Sequence, residues 1–192
     1  MNAYSLALFL HVVGALGLFV ALGLEWNALS GLRSATTAEE ARRALAPFRT
    51  LRVLGPAALV TILVAGLFMT ATVVGWQAWN AIGLAGLVVI FVLGAASNAT
   101  RLPRIGRAVG PRQGALSLEL RAELADPVLW WSMLARAGIA LGIVFLMTTK
   151  PDAAGSAVAI ATSAAIGVVV AWLSSRARRV PSGDRRGLER AS

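Results

Sequence analysis

At 192 residues, 57% hydrophobic and only 14% charged, the chain is long enough for one ordinary domain but lacks the surface of a soluble one. Its 18 Lys+Arg against 9 Asp+Glu would suggest nucleic acid in a soluble protein, yet no soluble domain is left over to bind it, so no nucleic-acid partner is expected. Without cysteine there are no disulfides, no thiolate metal sites and no CxxC redox chemistry.

The first apolar run covers about residues 4–27. It has no basic segment before it and is longer than the apolar core of a signal peptide, so a retained helix is expected. Four further runs, at about 55–75, 79–98, 128–149 and 154–174, are also long enough to cross a bilayer core of roughly 30 Å. In lipid each must be helical, because no water is there to satisfy free backbone groups. The fold class is therefore all-α: a polytopic membrane bundle of five transmembrane helices over residues 1–176, followed by a basic tail, 177–192, expected to be disordered. Tyr4, Trp26, Trp76, Trp79, Trp130, Trp131 and Trp172 fall near the expected interfaces as an aromatic belt.

Arginine sets the orientation. Arg33, Arg42, Arg43, Arg49 and Arg52 lie between the first two spans, and Arg101, Arg104, Arg107, Arg112 and Arg121 between the third and fourth. Arg176, Arg178, Arg179, Arg185, Arg186 and Arg190 follow the fifth. The second connection has no basic residue and the fourth only Lys150. Basic residues mark cytoplasmic segments, which predicts the N-terminus outside and the C-terminus inside.

Both arginine-rich connections carry helix signals. Thr37-Ala38-Glu39-Glu40 fits a capping box, with the following ARRAL laid on the membrane surface. ALSLELRAEL fits a short amphipathic helix, and Asp126-Pro127 an N-cap and first position for the fourth span. Spans two and four look like the starts of two similar hairpins, introduced by Pro56 and Pro127.

Few residues inside the spans carry chemistry. His11 is the single histidine, and Met69 and Met147 come to a similar depth near the outer side. Imidazole and thioether donors at one level suit Cu(I), or the axial positions of a haem. Equally, methionine fills gaps and one histidine can bond a neighbouring helix. Glu25 follows His11 on the same helix face, with Gly14, Leu18 and Ala21 between them, and that face is expected to point into the bundle. Arg136 is the one arginine inside a span, at a depth matching Glu25, which predicts an ion pair between spans one and four. Gly138 and Gly142 form a GxxxG, and Gly17 and Ala21 a looser small-residue pair, both expected to pack within the chain. Asn80, Asn98, Thr61, Thr70 and Thr72 are expected in caps and interhelical bonds. No nucleotide loop, catalytic triad, zinc helix or carboxylate pair is present.

HVVGALGLF on the first span and FLMTTKP at the end of the fourth resemble the bacterial integral membrane proteins allied to the copper-resistance protein D group. Members of that group open with a span carrying histidine and then small residues, and close a later span with Met-x-x-Lys-Pro. Here these fall on His11, Gly14 and Ala15, and on Met147, Lys150 and Pro151. The resemblance implies a multi-pass protein of the bacterial cytoplasmic (inner) membrane, of no settled biochemical function. A more distant similarity, to HemJ-type protoporphyrinogen oxidases, implies haem near a first-span histidine and a lysine, which keeps Lys150 beside His11 as a candidate.

The expected function is that of an integral membrane protein acting as an accessory or assembly subunit, with no catalysis of its own. Its expected partners are the lipid bilayer and either a second copy or another membrane subunit. One alternative is a haem- or copper-binding protein using His11 with Met147, Met69 or Lys150. The other is a small proton-coupled transporter using Glu25 and His11.

Overall fold

Backbone amides in an apolar medium have to be satisfied within their own segment, and the apolar stretches are accordingly helices. The computed structural model describes residues 2–177; the rest of the basic tail, expected to be disordered, lies outside the described residues. These comprise α1 (Ala3–Ser34), α2 (Ala38–Leu45), α3 (Pro47–Met69), α4 (Ala78–Val109), α5 (Leu118–Leu124), α6 (Pro127–Thr149) and α7 (Ala153–Ala177). A π-helical turn, Thr70–Val74, extends α3. Five of these helical stretches are long and apolar enough to cross a membrane. No strand occurs among the described residues, only an isolated bridge between Thr37 and Ala115.

Three helices outrun their apolar runs at the arginine-rich end. α1 continues to Ser34, α3 starts at Pro47 and α4 ends at Val109, so Arg33, Arg49, Arg52, Arg101, Arg104 and Arg107 sit on helices rather than in loops. Pro56 does not introduce the second span as expected; it lies inside α3, as Pro103 lies inside α4. Each proline removes only one amide donor, and the helix-permissive residues before it carry the helix through. Pro47 takes the first-turn position instead. Pro127 does introduce α6, where Asp126 accepts the Val128 amide at 2.8 Å and pairs with Arg101.

The short helices close the arginine-rich end. Thr37 and Glu40 form the reciprocal capping box of α2. Ala38 and Ala41 are fully buried, in a cluster with Leu32, Ile105, Val109 and Leu124, so α2 is seated on the ends of the long helices.

Small residues govern how the helices meet. α1 packs along α3, and α6 along both α4 and α7. A Cβ on Gly138 would run into the Ser163 carbonyl of α7, and one on Gly167 into the Leu134 carbonyl of α6. The α6 glycines thus pack within the chain, and Gly14 does the same on α1, where a Cβ would lie 2.9 Å from Ile62. Trp130 departs from the expected belt. It is 2% exposed, its indole N–H donates to Ser174 at 2.8 Å, and its ring lies 4.8 Å from that of Trp26. A buried indole needs such a partner, and α7 supplies it.

Candidate functional site

Two polar centres sit within the apolar part of the bundle, one towards each end. The first joins α1 to α6. Arg136 donates from Nη2 to Glu25 Oε1 at 2.7 Å and from Nη1 to Oε2 at 3.0 Å, and the two residues are 6% and 4% exposed. Its Nε donates to the Ser132 carbonyl one turn back, at 3.2 Å. Asn98 of α4 donates to Glu25 Oε1 at 3.1 Å, so three helices meet on one carboxylate. Gly94 makes room, since a Cβ there would lie 3.1 Å from Arg136 Nη1. Fork-to-fork geometry satisfies both charges at once, as a low-dielectric site requires.

The sequence placed Glu25 and Arg136 at one depth, and the structure brings them together. It did not single out Asn98 as their third partner, nor the neighbouring hydroxyls of Ser97 and Ser132, which lie 3.0 Å apart. The available signal was an amide on the third span at the level of Glu25.

The second centre surrounds His11. Nδ1 lies 3.1 Å from the Ile62 carbonyl of α3. A carbonyl can only accept, so Nδ1 carries a proton, and in a neutral ring Nε2 is the nitrogen with the free lone pair. Gly66 lets the ring approach, because a Cβ there would lie 3.3 Å from His11 Cε1. A cavity of about 110 Å³ adjoins the ring, and His11, Met69 and Met147 all line it, with Trp79, Asn80 and Gly83. Lys150 is not part of this lining; it caps α6 with φ 49°, and its ammonium stands 5.8 Å over the Trp79 ring. The polar neighbours of the spans are spent locally: Asn80 donates to the Gly75 carbonyl and accepts the Gln77 amide, while Thr72 bonds back to Phe68.

The donor chemistry of this centre fits Cu(I): one imidazole with a bare Nε2 and two thioethers share a cavity, and the backbone bond at Nδ1 orients the ring as metal-ligating histidines need. Organic cofactors need pockets of about 300 Å³ or more, well above the volume beside His11. Among the described residues no three His, Cys, Asp or Glu side chains gather into a further metal site.

The two centres are insulated from each other. Leu18, Leu22, Ile62, Leu87, Ile90 and Ile139 form one buried apolar cluster between His11 and Glu25, and the cavity at His11 shares no residue with the larger one, about 840 Å³, whose wall includes Glu25, Asn98 and Arg136. Set against family models, curated proteins and solved structures, the chain matches none of them.

Proposed function

We propose that this chain is a multi-pass protein of the bacterial cytoplasmic membrane, N-terminus outside and C-terminus inside, serving as an accessory or assembly subunit without chemistry of its own. The arginine-rich ends of α1, α3 and α4 support the orientation. One observation carries the functional reading: among the described residues, the one acid and the one arginine buried within the spans neutralise each other in a fixed bidentate pair. Such a pair joins helices and leaves no charge available for transport. A proton path from His11 to Glu25 would also have to cross the buried apolar cluster.

A second reading is favoured by the shared cavity of His11, Met69 and Met147: a Cu(I)-binding membrane protein, in line with the resemblance to the copper-resistance group. When bound, the metal would supply a soft, redox-active centre near the outer side, held by His11 Nε2 and the two thioethers.

One preparation tests both. The detergent-purified protein, beside His11→Ala, is assayed for metal content, absorption spectrum and native mass. A colourless, metal-free protein migrating in a larger stoichiometric assembly supports the accessory reading. Copper near one per chain, lost with His11→Ala, replaces it with the second. A metal-free protein that runs alone and moves a solute across vesicles overturns both.

A further inference from the structure

α3 and α4 follow each other in the chain yet touch little, because α3 lies along α1 while α4 lies along α6. The gap between them is the cavity of about 840 Å³, with α1 as its floor. That volume lies in the range of sites that enclose organic ligands. Its walls change character along its length. Leu18, Leu59, Ile90 and Phe91 line the end deep in the spans, and Arg49 and Arg52 stand at the arginine-rich mouth. Phe91, Ala95 and Ala99 are exposed along the α4 side, so the groove opens sideways at the level of the apolar spans.

Its charge is equally uneven. Four charged residues line it: Glu25, Arg136, Arg49 and Arg52. The first two cancel in their buried pair, which leaves a local charge of two positive units at the mouth. Arg49 and Arg52 are exposed, one turn apart on the same helix face, and neither pairs with an acid among the described residues. Part-way down, Asn98 Oδ1 is buried without a hydrogen-bond partner. Its amide nitrogen is committed to Glu25, so Asn98 holds the carboxylate and is not part of the proposed contact with the ligand.

We propose that this groove holds one anionic phospholipid from the surrounding bilayer, its phosphate between Arg49 and Arg52 and an acyl chain running towards Leu59 and Phe91. Guanidinium groups bind phosphate oxygens by paired hydrogen bonds. An apolar slot beside them, open to lipid, admits the chain without taking the head out of the interface. A zwitterionic lipid brings the same phosphate with an added cation, which two unpaired arginines disfavour. This goes beyond the accessory reading and holds whether or not His11 binds copper.

The test is native mass spectrometry of the full-length protein in mixed micelles with phosphatidylglycerol or phosphatidylcholine. Folding of every variant is checked by gel filtration and circular dichroism. Wild type should retain one phosphatidylglycerol in preference to phosphatidylcholine. Arg49→Gln with Arg52→Gln should weaken that retention roughly 30-fold, from the usual worth of two basic residues at an anionic lipid. Arg104→Gln with Arg107→Gln removes the same charge from α4 outside the groove lining and should change little. Ala95→Phe should displace the lipid with both mouth arginines intact. If Ala95→Phe does not fold, the contrast between the two arginine pairs decides the matter. Equal retention of the two lipids, equal loss from both arginine pairs, or an unaltered adduct in folded Ala95→Phe overturns the proposal, and the last would assign the lipid to the general basic surface.

Discussion

Arg136 of α6 and Glu25 of α1, 111 residues apart in the chain, meet through two parallel hydrogen bonds of 2.7 and 3.0 Å. Solvent reaches almost none of either side chain, so removing one partner strands the other in a medium that cannot solvate it. We expect Glu25→Ala and Arg136→Ala each to lose about 3–5 kcal/mol of unfolding free energy in detergent micelles. The Glu25→Ala with Arg136→Ala double substitution should lose clearly less than the sum. Strict additivity would mean that the pair is not coupled. Asn98→Ala, which removes one neutral donor, should cost only about 0.6 kcal/mol.

The α6–α7 contact should depend on two glycines. Gly138→Leu and Gly167→Leu force a side chain into a facing backbone carbonyl, at a cost of about 1–3 kcal/mol each. Gly23, in contrast, has nothing within 4 Å of a Cβ, and Gly23→Ala should be neutral or stabilising. Thermal unfolding of the three variants checks the ranking; a Gly138→Leu protein as stable as wild type would exclude this close approach.

His11 is the only histidine, so its imidazole nitrogens can be read by ¹⁵N NMR without assignment. The spectrum should show a proton on Nδ1, the nitrogen that faces the Ile62 carbonyl. Gly66→Val should displace the ring and alter both shifts, because the space a side chain needs there is already filled by the imidazole. A ring with its proton on Nε2 and none on Nδ1 would contradict the bond.

The cap of α2 should be acid-sensitive. Hydrogen bonds from the Thr36 backbone and side chain and from the Thr37 backbone hold the Glu40 carboxyl below its ordinary pKa. A depressed carboxylate contributes stability above its unfolded pKa and loses it as pH falls through the folded one. Hydrogen exchange of residues 36–45, corrected for intrinsic rates, should therefore accelerate below the normal glutamate range, and Glu40→Gln should reduce that dependence to the part contributed by Glu39, whose carboxyl is also held low by backbone hydrogen bonds. Thr37→Ala, which deletes the other half of the box, should loosen α2 at neutral pH by about 1 kcal/mol.

Local chemistry sufficed for much of this. Runs of about 20 apolar residues must be helices in lipid, and Thr37–Glu40 and Asp126–Pro127 start helices by contacts within a few residues. Glu25 and Arg136 could be matched by depth alone, because a charge inside a span needs an opposite charge at its own level. Helix ends were less legible: residues after Asn27 and Asn98 are polar enough to leave an apolar run yet still helix-forming, and they carry α1 and α4 outward.

What only the tertiary structure decided was rotation and neighbourhood. Depth along a helix follows from counting at 1.5 Å per residue, but which helix stands beside which depends on all the contacts together. Hence Asn98 on Glu25, Trp130 turned inwards onto Ser174, and Met69 and Met147 around one cavity with His11 while Lys150 stands apart. The groove between α3 and α4 is of the same kind. It exists because each of these consecutive helices packs on a different neighbour, a choice made by small residues whose partners lie far away in the chain.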